Sequence, residues 1–254
     1  MKMIIVRRSE ERRHIDNQEH NTWMTFDSEN KSDLLKNGFG SLLILNEDIL
    51  SRDRAFLFHP LNHMIIVSYI QKGVVVYHGP FGGSDLLEPG DFHQVNVTPG
   101  DLQYEFDAIL SGDTHIFQSG FTPDPGEWGP KGRKKLFTHA DRHGILRLIA
   151  SPDGRETSLP IHRDVHMYSS LIPQGNHIIH PVKYGRSGWL HLVRGKILVN
   201  NFVLKKGDGA GFTGERSITL LAQEPSEILL FDVPEAVLKE VPQEAKNEAA
   251  LSQN

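Results

Sequence analysis

The sequence contains no cysteine, which excludes disulfides, thiolate metal ligands and cysteine nucleophiles. It lacks any apolar run approaching the roughly 18 residues of a membrane-spanning helix. Met3-Ile4-Ile5-Val6 is too short for a signal-peptide core and is followed at once by Arg7 and Arg8. These absences predict a protein of the reducing cytoplasm with no membrane contact. An excess of positive charge is also missing. The net charge is −5, so direct nucleic-acid binding is not expected. There is no Ser-His-Asp order, no phosphate-cradling glycine loop and no pair of acid/base carboxylates. Histidine, by contrast, is abundant at 14 copies, so any single histidine begins with a weak claim to function.

A chain of 254 residues suits one large or two small domains. Short β-like runs separated by Gly, Pro and Asp turns dominate, with few long helical periods. In the first half the pattern predicts strands near residues 40–45, 54–59, 64–71, 73–77, 92–97, 104–110 and 115–119. The second half reads alike, with strands near 146–150, 159–163, 166–171, 177–181, 188–193, 196–200, 209–213 and 228–233. Lys205-Lys206-Gly207-Asp208 takes the place that Pro89-Gly90-Asp91 holds in the first half. The repeated unit of strand, Gly-Asp turn and strand predicts a duplicated β-barrel. The implied boundaries are a first domain over 1–121, a Pro/Gly-rich linker over 122–136 and a second domain over 137–234. Residues 235–254, rich in Glu, Ala, Gln and Asn, read as a disordered tail. The segment before Gly38 is expected to pack across both barrels.

Several ordered blocks resemble the pirin family of bicupins. Trp23-Met24-Thr25-Phe26 is similar to its W-x-x-x-x-T-F entry with a shortened spacing. Gly38-Phe39-Gly40, Leu42 to Leu45 and Asn46-Glu47-Asp48 match its GFG-x-L-R-V-I-N-E-D block. His59-Pro60 is followed by Met64, Tyr69 and Gly73 at the family spacing, and Gly90-Asp91 leads to Gly100 and Glu105 without a gap. In the second half the matching stretches are Leu148 to Gly154, Ser158 to Asp164 and Leu229 to Pro234. The resemblance spans roughly residues 7–235. It implies an all-β bicupin, two tandem cupin jelly-roll barrels, with a metal site in the N-terminal barrel only. Family activities are flavonol (quercetin) 2,3-dioxygenation and, in other members, transcriptional co-regulation or partner binding.

The family's two metal motifs, His-x-His and His-x-Glu, are half erased in this chain. By block position His59 stands for the first histidine and Glu105 for the carboxylate. Leu61 and Gln103 stand where two further histidines would be. Leu61 cannot coordinate, and an amide oxygen such as that of Gln103 is a weak ligand beside imidazole. His63 is the alternative ligand, but four residues along a strand place it about 13 Å from His59 unless a bulge at Pro60 folds the distance up. His93 derives from a non-ligand position. Without a metal, His59, Gln103 and Glu105 are expected to hydrogen-bond one another. The run Lys131-Gly132-Arg133-Lys134-Lys135 reads as solvated linker charge. His162, His166, His177, His180 and His191 lack a carboxylate array and read as surface or packing residues.

Three functions compete. The first is a pirin-like bicupin with a degenerate metal site that acts as a binding or regulatory protein. In that case no cofactor is bound, and the partner is a small molecule or a protein. The second is a metal-dependent quercetin 2,3-dioxygenase holding iron, or another divalent first-row metal, on a reduced ligand set. The third is a metal-free cupin enzyme using His59 or Glu105 as general acid or base. The first is the expected function, with a monomeric chain.

Overall fold

The computed structural model describes residues 2–16, 20–51, 55–58, 63–79, 83–97, 104–109, 113–122 and 132–236. Each half builds a seven-stranded sheet facing a four-stranded one. The first barrel's larger sheet runs, in spatial order, Arg133–Leu136, Asp91–Val97, Met64–Lys72, Thr114–Phe121, Leu42–Leu50, His20–Met24 and Arg13–Asp16. Its smaller sheet runs Ala55–Phe58, Tyr104–Ala108, Val75–His78 and Ser84–Leu87. The second barrel repeats the plan. Its larger sheet is Met3–Arg7, Gly209–Thr213, Arg186–Arg194, Ser226–Pro234, His166–Ile172, Arg147–Ser151 and Leu159–Pro160. Its smaller sheet is His177–Pro181, Ser217–Ala222, Lys196–Val199 and Phe202–Lys205. The four-residue helix His139–Arg142 is the one α-helix among the described residues, and none of their helices is long and apolar enough to cross a membrane.

The duplicated turn has the same geometry in both halves. Gly90 (φ +95°) donates its N–H to Ile70 O at 2.9 Å, and Gly207 (φ +83°) donates to Leu192 O at 2.8 Å. A left-handed residue is needed at each corner, which is why glycine stands there. The aspartate that follows closes each turn by accepting a backbone N–H, from Glu88 onto Asp91 at 2.9 Å and from Lys205 onto Asp208 at 3.0 Å.

Three apolar clusters divide the interior. One fills the first barrel around Ile66, Ile70, Val75, Val95, Phe106 and Ile116. One fills the second around Leu190, Leu192, Phe212, Ile218 and Leu230. The largest lies between the two seven-stranded sheets and joins Tyr69, Phe92, Phe117 and Phe121 to Trp189, Leu229 and Phe231. The strand Met64–Lys72 shows the consequence of this layering: its even residues belong to the barrel interior and its odd residues to the seam between barrels. Both faces are buried, so the strand carries no apolar–polar alternation.

The two halves exchange edge strands. Met3–Arg7 pairs with Gly209–Thr213 in the second barrel, while Arg133–Leu136 pairs with Asp91–Val97 in the first. The N-terminal segment therefore spans both barrels, because Arg13–Asp16 and His20–Met24 extend the first barrel's sheet. Of the stretch read as a linker, 123–131 lies outside the described residues and Arg133–Leu136 is a strand. It is not legible as a strand in the sequence, because three of its own four residues are basic and Lys131-Gly132 precede it. Backbone pairing along an exposed edge holds it instead.

Candidate functional site

Of the positions singled out in the sequence, His59, Leu61 and Gln103 lie outside the described residues. The expected His59–Gln103–Glu105 cluster is therefore not among the described contacts. Glu105 is described, on Tyr104–Ala108, where its Cα partners are His78 on one side and Leu57 on the other. The next residue, Phe106, is opposite Tyr77. Both are buried in the first barrel's core with ring centroids 5.5 Å apart. Residues directly opposite in an antiparallel pair share a face, and successive residues alternate. Glu105 thus lies on the other face of its sheet, with His78 and Asp107. On that face His78 Nε2 hydrogen-bonds Asp107 Oδ2 at 2.9 Å, and His78 Nδ1 hydrogen-bonds Ser84 Oγ at 2.9 Å. His63 is exposed at the entry to Met64–Lys72. Among the described residues no group of three or more His, Asp or Glu side chains could hold a metal ion.

The interior face of the seven-stranded sheet carries a feature that motif reading does not reveal. Ser68 is directly opposite His93 on one side and Gln118 on the other, so the three form a row across adjacent strands. Their neighbours on the same face, Ile66, Ile70, Val95 and Ile116, belong to the barrel core. All three side chains are fully buried. Ser68 Oγ, both ring nitrogens of His93 and both amide atoms of Gln118 have no hydrogen-bond partner among the described residues. From the facing sheet, Tyr77 meets the His93 ring edge-on with centroids 4.4 Å apart. Burial pushes the His93 pKa down to about 4, so the ring is neutral at physiological pH. Leaving a buried polar group unsatisfied costs about 1–3 kcal/mol each, so such a row is rarely kept without a reason.

Two further polar clusters sit at the seam between barrels. Glu47, buried at 5% exposure, accepts from Arg12 Nη1 at 2.6 Å and pairs with His115 Nε2 at 2.8 Å. Burial alone would raise its pKa, but the His115 hydrogen bond and the Arg12 charge outweigh it and hold the value at about 2. Arg12 and Glu47 line a cleft of about 320 Å³ together with Trp23 and Lys206. Nearby His191 is fully buried, and burial followed by the Arg12 charge pushes its pKa down to about 3. In the second cluster Arg142 Nη1 donates to Glu227 Oε1 at 3.1 Å and to the Tyr69 hydroxyl at 3.0 Å, while the Tyr69 hydroxyl donates to the same carboxylate. Arg194 Nε donates to the other oxygen of Glu227 at 3.1 Å. Arg12, Glu47, Arg142, Arg194 and Glu227 each have a charged partner, which suits a structural clamp between the barrels.

The basic run after residue 131 is used structurally. Lys134 Nζ donates to Leu86 O at 2.7 Å, and Lys135 Nζ donates to Thr157 O. Of the second-half histidines, His180 and His191 are buried.

Residues 148–233 match the family model described as the quercetinase C-terminal cupin domain. A quercetin 2,3-dioxygenase of Escherichia coli K12 is 27% identical over 232 residues, covering 91% of this chain and 99% of that protein. A quercetin 2,3-dioxygenase candidate of Zymomonas mobilis is 30% identical over 194 residues, covering 76% of this chain and 82% of that protein. Among solved structures, the nickel(II) complex of the bacterial pirin YhhW from Escherichia coli aligns with a TM-score of 0.83 at 26% identity. It covers 92% of this chain and 100% of that one.

Proposed function

Because the chain belongs to the pirin family of bicupins, we propose that it acts by binding a small molecule or a protein partner, with its N-terminal metal site reduced to His59 and Glu105. The observation that carries this reading is the register of Glu105. It is the one family ligand position among the described residues, and it lies on the sheet face opposite Phe106. Leu61 and Gln103 reinforce it, since each takes the place of an imidazole in the family motifs. A first-row metal held by one histidine and a carboxylate, with an amide in support, is poorly retained.

A second reading, an iron-dependent quercetin 2,3-dioxygenase, is favoured by the activity named for the relatives and by the nickel carried by YhhW. A metal in that site would supply the gathering of flavonol and oxygen. Among this chain's residues His59 and Glu105 would hold it, with Gln103 or His63 in support.

The separating experiment is elemental analysis of protein purified without added metal, followed by calorimetric titration with iron(II) and nickel(II). Metal far below one per chain and weak uptake are expected, with little or no quercetin turnover. About one tightly held metal per chain would overturn the proposal in favour of the dioxygenase.

A further inference from the structure

We infer that the cleft at the seam between the barrels, beside Arg142, Arg194 and Glu227, is a binding site for a small organic monocarboxylate. The inference goes beyond the binding function proposed above, because the site lies on the seam and uses none of the family metal positions.

The cleft encloses about 280 Å³, near the small end of the range for ligand pockets. Tyr69 lines it from the first barrel, Arg194 and Glu227 from the second, and Arg142 from the helix His139–Arg142. Among the described residues that line it, two guanidiniums meet one carboxylate, so one positive charge is left over. Glu227 is fully engaged. Its Oε1 accepts from Arg142 Nη1 and from the Tyr69 hydroxyl, and its Oε2 accepts from Arg194 Nε. It fixes both cations while using only part of their donor capacity. The side-chain hydrogen bonds of Arg142 to described residues all leave from Nη1. Its Nε has no partner among them, although the residue is only 5% exposed. A buried guanidinium with donors to spare calls for a further acceptor.

Arg194 reaches the cleft through an irregularity in its strand. Leu192 belongs to the second barrel's core, and simple alternation would place Arg194 on that same face. The pairing with Ser226–Pro234 slips between Leu192 and Arg194, which brings Arg194 opposite Glu227. Such a slip re-aims a side chain. The Arg194 side chain is 53% exposed and commits only Nε to Glu227. Its two Nη groups are left as the planar fork that binds a carboxylate through two parallel hydrogen bonds. Phe137 and Leu171, both buried, supply an apolar wall for the body of the ligand. One surplus charge, a guanidinium fork and an apolar wall select a monoanionic carboxylate over a more highly charged phosphate.

The test uses the full chain with benzoate as the probe, benzamide as its neutral near-isostere and inorganic phosphate as a competing anion. In nitrogen-15 spectra the Arg194 Nε–H signal is identified by its loss in Arg194→Met. Benzoate is expected to shift that signal saturably at millimolar concentration, and benzamide and phosphate are not. Calorimetry should show Arg194→Met weakening benzoate binding by about tenfold or more. Lys206→Met, which removes a cation from the other cleft, should leave it unchanged. Absence of a shift with benzoate overturns the inference. So does an equal response to benzamide or to phosphate, or an equal loss in Lys206→Met, which would mark general attraction to a charged surface. A chelator in every sample keeps this result separate from the outcome at the metal positions.

Discussion

Asp91 and Asp208 close equivalent turns in the two barrels, each accepting the backbone N–H of the residue three positions earlier. They differ in a second duty. Asp208 also accepts from Arg8 Nη1 at 2.8 Å and from the Ser9 backbone N–H at 2.8 Å. It thereby pins the N-terminal segment onto the second barrel, where Met3–Arg7 completes the sheet. The same turn chemistry thus shapes a corner in one half and ties the halves together in the other.

This asymmetry predicts unequal mutants. Asp208→Ala should destabilise the protein more than Asp91→Ala does, by about 1–3 kcal/mol, because charged and backbone donors lose their acceptor together. Hydrogen exchange over residues 3–9 should rise in the Asp208 variant alone. Equal protection of that segment in both variants would count against the pinning role.

The Arg12–Glu47 pair makes a stronger claim. Their side chains are 2% and 6% exposed, so Glu47→Ala leaves a buried guanidinium without its counter-charge. A loss of about 3–5 kcal/mol is expected in denaturant unfolding. A loss under 1 kcal/mol would mean that water reaches the seam and screens the pair.

Stability should fall as acid is added, in two windows. Ordinary glutamate and histidine values here are 4.5 and 6.5, and folding lowers Glu47 to about 2, His93 to about 4 and His191 to about 3. The unfolded chain therefore binds each proton more readily than the folded one. The histidine contributions are complete above pH 6.5 and are lost as pH falls toward 4 and 3, and the Glu47 contribution is lost between 4.5 and 2. Urea midpoints measured from pH 7.5 to 3.5 should decline below 6.5, and the decline should be shallower in His93→Leu with His191→Leu. A flat wild-type profile between 6.5 and 4.5 contradicts the neutral, buried state of both rings.

Gly211 makes a close approach to two side chains at the seam. A Cβ there would lie 2.5 Å from Phe39 Cε2 and 3.0 Å from Ile5 Cγ2. Gly211→Ala should cost about 1–3 kcal/mol by overpacking, read as a lower melting temperature, and Phe39→Leu should relieve part of it. No relief in the double variant would place the strain elsewhere.

At the family metal positions, Leu61→His with Gln103→His is expected to create nickel(II) binding that the wild type lacks, since three imidazoles are then supplied. Adding Glu105→Gln to that background should weaken the binding by about tenfold or more, because Glu105 is the family carboxylate that this chain keeps. An unchanged affinity would show the carboxylate turned away from the metal.

The sequence by itself determined the class of fold and its duplication, because turn chemistry is local. Gly90 and Gly207 need a backbone that only glycine adopts easily, and the aspartate after each closes the corner, so both copies are readable from neighbouring residues. Strands that lack such punctuation are not legible in the sequence. Ser84–Leu87, Phe202–Lys205, Ser217–Ala222 and the three N-terminal strands are of this kind, set by pairing with other strands. The altered metal motifs were legible through family spacing, whereas the face on which Glu105 lies was not, since it depends on pairing with His78 and Leu57. The Gln118–Ser68–His93 row was likewise invisible. Its members are 25 residues or more apart in sequence, on strands buried on both faces. An apolar–polar rhythm arises only where one face meets water. Here two barrels pack sheet against sheet, so which polar side chain faces a barrel interior and which faces the seam was decided by strand register, a property of the tertiary structure.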